Sequence, residues 1–345
     1  MTTHVVGLDI GSRTLRAVEV KGGGKKPPSV IRYHEVDLSP GAVRGGEVAE
    51  VGNVTTALRR LWSEAKFGTK DVVLGMGSPK VMVRDLSVPR LAPADLKAAL
   101  PSFVNDMLPM PASEALLDFY PISESTTEAG VMANGLLIAT VKEGVLANVE
   151  TLQGAGLNPV SVDLIPFALM RTGDAAPMGN VAHIDVGGAT TNVLIASNGV
   201  PQFVRIMAAG GDGVNAALRD RAGLDFDRAE QLKRTYGIAA PGSVSPDLED
   251  VCTIVRESSW ELLTSLRNTL AYFSQSRNNE VFSAIVLSGG ASRLPGFSAA
   301  LREITGINIM VLNPFTRVGQ PKMTPSDIEP RSMHVALGLA LGAIK

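Results

Sequence analysis

The stretch HIDVGGATTNVLIASNGVP, residues 183–201, joins two apolar runs through a turn of glycines and hydroxyl residues. The runs at 181–186 and 193–195 consist mostly of β-forming side chains, which predicts a strand, a tight turn and a second strand. Glycines in the turn let backbone N–H groups approach a ligand closely, and Asp185 stands at the end of the first strand. This arrangement suits a phosphate group and its metal ion, and a plain structural hairpin is the alternative.

The start of the chain carries a second copy of this pattern, VVGLDIGSRTLRAVEV at residues 5–20. Aligned without gaps, the matched pairs are Asp9 with Asp185, Gly11 with Gly187, Ser12 with Gly188 and Thr14 with Thr190. Self-similarity over a long period predicts repeated structural units. Two such hairpins could hold the phosphates of a nucleotide from both sides. Their two aspartates would then face the metal, through water, because Mg²⁺ gives up its water reluctantly.

Composition indicates a globular protein that is large enough for two domains. The chain has 345 residues, of which 45% are hydrophobic and 19% charged, and its net charge of −2 gives no sign of a nucleic-acid surface. The single cysteine, Cys252, excludes an intramolecular disulfide and a cysteine-cluster zinc site, and it fits a reducing compartment. We find no signal peptide and no run of the roughly 18 apolar residues that a membrane span needs.

The rest of the chain alternates between strand and helix patterns, as in an α/β protein. Apolar residues at helical spacing over 54–66, followed by a buried run at 71–76, predict a helix and then a strand. A helix is predicted to begin at Pro93 and to be broken by Pro101. Further predictions are a small-polar loop at 123–135, a long amphipathic helix at 246–276, a strand at 307–315 and a small-residue helix at 334–345.

Five segments in a fixed order resemble the actin-like ATPase superfamily, which includes actin, sugar kinases, FtsA and MreB. They correspond to two phosphate hairpins, two linking helices and an adenosine loop, and here read LDIGSRT, IDVGGATT, VDLIPFALM, VALGLALGA and VLSGGASRLPG. The resemblance covers essentially the whole chain. It implies an α/β, actin-like two-lobed fold with duplicated mixed-sheet domains.

Within this superfamily the chain most resembles the PilM family of type IV pilus assembly proteins. The segments that carry this resemblance are VDLIPFALMR, AGGDGVNAAL with DRAEQLKR, and VMVRDLSVPRL with LLDFYPI. The family implies an insert of the FtsA type, called subdomain 1C. The implied division is subdomain 1A at 1–78, 159–178 and 334–345; 1C at 79–158; 2A at 179–208 and 266–333; and 2B at 209–265.

The resemblance also implies a binding site for ATP and Mg²⁺. The implied nucleotide contacts are Asp9, Gly11, Ser12, Arg13 and Thr14 in the first turn, and Asp185, Gly187, Gly188, Ala189, Thr190 and Thr191 in the second. Gly210, Gly211 and Asp212 would lie near the ribose and phosphates, and Gly289, Gly290, Ala291, Ser292 and Arg293 would line the adenosine pocket. Glu230 and Lys233 would reach the ribose or base, although a surface ion pair at this i, i+3 spacing is equally expected.

One position departs from the superfamily pattern. Actin and FtsA carry a polar residue at the entry to the first linking helix, where it helps to orient the attacking water. The matching residue here is Ile165, which cannot form a hydrogen bond with water. The sequence therefore supports binding of ATP better than its hydrolysis, and no catalytic residue is assigned.

PilM-like proteins are cytoplasmic adaptors that receive the short N-terminal tail of the membrane protein PilN in a groove between subdomains 1A and 1C. By this resemblance we expect an ATP-binding adaptor of pilus assembly, held at the inner membrane through its partner. Because the chain stops directly after its last predicted core helix, we expect no membrane anchor of its own. Residues predicted to line the groove are Val81, Val83, Met107 and Met110, and ordinary core packing is the alternative for each.

Two other functions stay open at this level. The first is a filament-forming cytoskeletal ATPase like FtsA or MreB, which would bind the membrane itself. The second is a small-molecule kinase of the same fold, for which we find no acidic base beyond the two aspartates of the phosphate turns.

Overall fold

The structure is a computed structural model that describes residues 3–23, 26–128, 130–172, 179–240, 242, 244–319 and 328–344. In chain order its strands are β1 (Thr3–Ile10), β2 (Thr14–Gly23), β3 (Lys26–Asp37), β4 (Val43–Arg44), β5 (Glu47–Val48), β6 (Asp71–Met76), β7 (Met82–Pro89), β8 (Ala115–Thr127), β9 (Gly130–Val141), β10 (Asn158–Leu164), β11 (Asn180–Val186), β12 (Thr191–Ser197), β13 (Val200–Met207), β14 (Phe282–Gly289) and β15 (Ile309–Met310). Its helices are α1 (Val51–Ala65), α2 (Pro93–Val104), α3 (Lys142–Gly154), α4 (Ile165–Leu169), α5 (Gly211–Ala222), α6 (Phe226–Tyr236), α7 (Glu249–Ser276), α8 (Phe297–Thr305) and α9 (His334–Gly342).

Two five-stranded sheets share one topology. Their strand orders are β3-β2-β1-β6-β10 and β13-β12-β11-β14-β15. In each sheet the hairpin strands are antiparallel and the next strand is parallel to the first. The registers also agree, because Asp9 lies opposite Arg16 and Asp185 lies opposite Asn192. The internal repeat predicted from the sequence is therefore confirmed in three dimensions, and we call the two sheets with their helices the first and second lobes.

Each sheet is mixed, and helices cover both faces of the first one. One face packs Val6, Leu8 and Leu74 against α1 and α3, and the other packs Val5, Val18 and Val73 against α4 and α9. In the second lobe, α7 and α8 cover the face that carries Ile184 and Leu287. The strands are nearly fully buried because both faces are covered, which explains why β6, β11 and β12 appear in the sequence as continuous apolar runs.

Helices α4 and α9 lie between the lobes, as the two linking helices of the resemblance would. Small residues on α9 allow unusually close contact: a Cβ at Gly338 would lie 2.0 Å from the carbonyl oxygen of Ala168 in α4. On the opposite side of α9, a Cβ at Gly7 of β1 would lie 2.0 Å from the carbonyl oxygen of Ala336. The small-residue stripe of this helix thus serves packing between elements, as predicted.

A third, three-stranded sheet of order β7-β9-β8 forms the insert. Helix α2 covers one of its faces, where Leu100 and Val104 pack against Leu137. The other face contributes Leu136 to a core that also contains Leu194 of β12. This face of the insert therefore packs against the second lobe. The exact subdomain boundaries stay a prediction.

Three local predictions were wrong. Helix α2 continues through Pro101 to its end because buried Leu100 and Val104 anchor it, and the proline lies on the exposed side. Most of the loop predicted at 123–135 belongs to β8 and β9, whose pairing continues to Thr127 opposite Gly130. The strand predicted at 307–315 is reduced to β15, and Asn313 accepts a hydrogen bond from the backbone of Phe315 in a turn.

The close packing of α9 makes a testable prediction. Gly338→Ala places a methyl group against backbone atoms that cannot move independently, so we expect the free energy of unfolding to fall by about 3 kcal/mol or more. Gly52→Ala in α1 is the matched control, because a Cβ there meets nothing within 4 Å and alanine favours a helix. Urea unfolding of the three proteins measures both effects. A loss at Gly338 no larger than the change at Gly52 would contradict the packing described.

Candidate functional site

The turns of the two repeated hairpins have the same internal geometry. The N–H of Gly11 donates to the carbonyl of Thr14 at 3.1 Å, and the N–H of Gly187 donates to the carbonyl of Thr190 at 2.9 Å. Both turns follow the central strands β1 and β11, so they meet where the two lobes face each other. Between them lies a cavity of about 320 Å³, which is within the usual size range of ligand sites.

The cavity gathers nearly all the residues predicted to contact a nucleotide. Those that line it are Asp9, Gly11, Ser12, Arg13, Thr14, Asp185, Gly187, Gly188, Ala189, Thr190, Gly210, Gly211, Asp212, Glu230, Lys233, Gly289, Gly290, Ala291 and Arg293. Thr191 and Ser292 do not line it. The hydroxyl of Thr191 donates to the carbonyl of Ala209, and that of Ser292 donates to the carbonyl of Gly289, so each holds a neighbouring backbone segment in place.

The two aspartates are the most buried carboxylates of the cavity. Asp9 is 8% exposed and Asp185 is 9% exposed. Burial raises the pKa of Asp9 to about 6; the positive charge of Arg16 opposes this rise and the negative charge of Asp185 adds to it. Burial also raises the pKa of Asp185. The hydroxyl of Ser288, which donates a hydrogen bond to Asp185 at 2.9 Å, acts in the opposite direction and lowers this pKa. The positive charge of Arg16 therefore does not offset the burial of the two carboxylates. A divalent cation would supply the further positive charge.

Protein side chains alone do not complete a metal site. Among the described residues there is no group of three or more histidine, cysteine or acidic side chains that could hold an ion. Mg²⁺ commonly keeps several waters and is bound through one or two carboxylates together with substrate phosphates. The chemistry of the two aspartates fits that mode of binding.

The far wall of the cavity contains a network centred on Glu230. Its carboxylate accepts hydrogen bonds from Lys233 at 2.5 Å, Arg234 at 2.5 Å and Asn215 at 2.6 Å. Burial alone would raise the pKa of Glu230, but these donors outweigh it and lower the pKa to about 2. The ion pair expected from the i, i+3 spacing is present, and both of its members also line the cavity.

Ile165 lies at the cavity, as its predicted position at the entry to the linking helix requires. A Cβ at Gly77 would lie 2.7 Å from Cδ1 of Ile165 and 3.2 Å from Oδ1 of Asn192, so both side chains lie beside Gly77 at one corner of the cavity. Asn192 is 2% exposed, and its Oδ1 has no hydrogen-bond partner in the described part of the chain. This amide oxygen can accept a hydrogen bond from water, but it cannot take up a proton as a base.

Several cavity residues were missed by sequence reasoning. Arg16 has its Nη1 3.7 Å from Oδ2 of Asp9, and Asn192 occupies the matching place in the second hairpin. Extending the repeat alignment by two residues would have found both. Ser258, Ser259 and Leu262 of α7 also line the cavity, and the Oγ of buried Ser259 has no hydrogen-bond partner among the described residues. The only signal for them is a serine pair within an amphipathic helix.

The four residues predicted for the partner groove are not brought together. Val81 is 8% exposed and belongs to the core shared with the second lobe, and Val83 packs against the same core. Met107 packs against the opposite face of the insert, in the cluster under α2, while Met110 is half-buried. Packing within the protein thus accounts for Val81, Val83 and Met107, and the partner groove stays a prediction.

The duplicated sheets, the linking helices and the cavity between lobes define a two-lobed actin-like protein. The chain is similar to a solved structure described as a PilM-PilN type IV pilus biogenesis complex, with a TM-score of 0.83 and 28% identity over 99% of this chain and 98% of that one. MreB5 of Spiroplasma citri bound to ADP has the same fold, with a TM-score of 0.56 and 12% identity over 99% and 96% of the two chains. The cell division protein FtsA of Enterococcus hirae is 25% identical, over 91% of this chain and 79% of FtsA.

Residues 7–344 match the family described as type IV pilus assembly protein PilM. The chain belongs to this family, which confirms the resemblance drawn from VDLIPFALMR, AGGDGVNAAL with DRAEQLKR, and VMVRDLSVPRL with LLDFYPI. No helix within the described ranges is long and apolar enough to cross a membrane.

The raised pKa of Asp9 predicts an unusual pH dependence of stability. Because the folded-state pKa is about 6 and the ordinary value is 3.8, the stability that protonated Asp9 contributes is complete below pH 3.8 and is lost as pH rises through 6. In magnesium-free buffer we expect Asp9→Asn to raise the free energy of unfolding by roughly 1–3 kcal/mol at neutral pH and to have little effect at about pH 4.

Urea unfolding at the two pH values measures this difference, with Asp220→Asn on the exposed side of α5 as the control. A gain at neutral pH that persists undiminished at about pH 4 would contradict the assigned cause. No gain at either pH would show that Asp9 is not held in an unfavourable ionised state.

Proposed function

We propose that the chain is an ATP-binding adaptor of the type IV pilus machinery that binds the short cytoplasmic N-terminal tail of a PilN-like inner-membrane protein. The observation that carries the nucleotide part is the pair of buried aspartates between two matched turns. The observation that carries the partner part is membership of the PilM family, together with similarity over the full length to a PilM-PilN complex.

Binding of ATP with Mg²⁺ accounts for the charges of the cavity. Asp9 and Asp185 face each other from the two lobes with limited compensation, and the phosphate turns on either side are built from small residues. Mg²⁺, held through water by both carboxylates and directly by the phosphates, would neutralise the negative charges of protein and nucleotide together. Lys233 and Arg293 would lie toward the ribose and base.

Hydrolysis is proposed to be slow or absent. The corner formed by Ile165 and Asn192 offers one amide oxygen, and such a group can orient water but cannot remove its proton. Of the carboxylates beside the phosphate turns, Asp9 and Asp185 are assigned to the metal, and Asp212 is held by Ser12 and Arg13. The main role of the nucleotide is thus to hold the two lobes in one arrangement.

A docking surface for an extended peptide is available where α3 meets β10. Strand β10 is an edge of the first sheet, and its Val160 and Val162 are 50% and 39% exposed. Helix α3 packs against β10 and exposes 41% of Leu146 on its surface. An edge strand with exposed apolar side chains is a template for strand addition by a peptide. This surface lies at the predicted junction of subdomains 1A and 1C, and it takes the place of the groove predicted around Val81 and Val83.

The same helix also contacts the segment that borders the nucleotide cavity. The Oδ1 of Asn148 in α3 accepts a hydrogen bond from the N–H of Val48 at 2.9 Å, and its Nδ2 donates to the carbonyl of Gly46 at 3.3 Å. Gly46 lines the cavity. The side chain of Asn148 would therefore link a peptide-binding helix directly to Gly46 in the wall of the nucleotide cavity.

The nucleotide part predicts a measurable loss when a carboxylate is removed. Purified protein should bind ATP with Mg²⁺ in calorimetry, and Asp185→Ala should weaken this binding by about tenfold or more because it removes metal ligation. Asp220→Asn, a charge change outside the cavity, should leave the affinity unchanged. Absence of binding by the unaltered protein at millimolar ATP and Mg²⁺ would refute the proposal.

The partner part predicts a selective defect. Val162→Glu should abolish binding of a synthetic PilN-like tail, and with it recovery of the protein in the membrane fraction beside the full partner, while ATP binding persists. Val200→Glu is the matched control, because Val200 is 38% exposed on the edge strand β13 of the other sheet. Tight membrane association without the partner would refute borrowed attachment and favour a filament-forming relative of FtsA.

A further inference from the structure

Side-chain hydrogen bonds join the two lobes across the cavity. Among the described residues that line the cavity, those between the lobes are made to Asp212. Asp212, in the first turn of α5 in the second lobe, accepts a hydrogen bond from Nε of Arg13 at 2.6 Å and one from the hydroxyl of Ser12 at 3.2 Å. Both donors belong to the phosphate turn of the first lobe. The guanidinium carbon of Arg13 also lies 3.6 Å from the ring centre of Phe226, the first residue of α6. We call these four residues the interlobe clasp.

The donors that hold Asp212 are of the kind that would bind a phosphate. A hydroxyl and a guanidinium bind carboxylate and phosphate oxygens in the same manner, because both acceptors are anionic oxygens. The first N–H groups of α5 are already used within the lobe: Gly211 donates to the carbonyl of Gly187 and Asp212 to that of Gly188. The side chains of Ser12 and Arg13 are therefore the donors for which a carboxylate and a phosphate would compete.

The clasp also keeps the two phosphate turns in contact. A Cβ at Gly188 would lie 2.5 Å from the hydroxyl of Ser12 and 2.9 Å from Oδ2 of Asp212, so only glycine permits this approach. In the internal repeat Arg13 corresponds to Ala189, and thus only the first turn supplies a cation. The second hairpin therefore has no counterpart of the Arg13 side chain, and the clasp is specific to the first hairpin.

We infer that Asp212 is an internal competitor of the nucleotide's phosphates. Its carboxylate holds Ser12 and Arg13, and a phosphate that takes over these donors releases the clasp and changes the contact between the lobes. In this account, which rests on the proposed nucleotide binding, Ser12 and Arg13 favour the nucleotide whereas Asp212 opposes it. The clasp sets the affinity for phosphates and couples phosphate binding to the separation of the two turns.

Removal of the competing charge should tighten nucleotide binding. We expect Asp212→Asn to lower the Kd for ATP, measured by calorimetry at fixed Mg²⁺ and salt, by about 3- to 10-fold. Asp212→Ser is a second variant in case the first folds poorly, and thermal melts check each protein. Asp220→Asn on the same helix is the matched control for the loss of one negative charge.

A double-mutant cycle separates competition from simple repulsion. In a Ser12→Ala, Arg13→Ala background neither donor can hold Asp212, so Asp212→Asn should then change the Kd by less than about twofold. If Asp212 acted only by repelling phosphate through space, its removal would give the same gain in both backgrounds, and that result would overturn the inference.

The remaining outcomes are equally decisive. Weaker or unchanged ATP binding by folded Asp212→Asn, beside normal binding by the unaltered protein, overturns the clasp account and leaves the proposed function intact. Absence of binding by both proteins refutes the proposed function and the inference together.

Discussion

Burial of two carboxylates at the inner ends of β1 and β11 is the constraint on which the rest of the structure depends. Asp9 and Asp185 are each less than a tenth exposed, and burial raises the pKa of both. Such groups destabilise a fold when they are ionised and uncompensated. The cation proposed to bind here would supply positive charge at the point where the two lobes bring these carboxylates together.

The architecture follows from the need to present these carboxylates to each other. Each sheet places its aspartate at the carboxyl end of a central parallel strand, directly before a glycine turn, where side chains can point into a cleft. Helix α9 packs against β1 and α4 through backbone contacts that only small residues allow, and α4 also contacts β11 and β12 of the second sheet. The cavity that results is bordered by both turns, by the Glu230 network and by α7. A change in how the lobes meet would therefore alter the positions of the two aspartates, the two glycine turns and the Glu230 network at the same time.

The sequence alone predicted what depends on local pattern and on the repeat. The hairpins and the order of helices and strands follow from apolar periodicity, glycine turns and the match of Asp9 with Asp185, whereas most of the cavity lining was implied by the family resemblance. The pairing of Arg13 with Asp212 could not be predicted, because these residues are 199 positions apart and depend on how two separate sheets meet. The groove assigned to Val81 stays a prediction that the sequence could not decide, because an apolar strand has the same pattern whether it faces a partner or the other lobe.

The central claim is that Asp9 and Asp185 jointly hold the metal of a bound nucleotide. Crystals grown with Mn²⁺ and a non-hydrolysable ATP analogue test it most directly, because manganese is located by its anomalous scattering. The account predicts a single strong anomalous peak between the two carboxylates, bridged to them by water and bonded to phosphate oxygens. A nucleotide in the cavity with its manganese held by other side chains, or a nucleotide bound elsewhere on the protein, would contradict it.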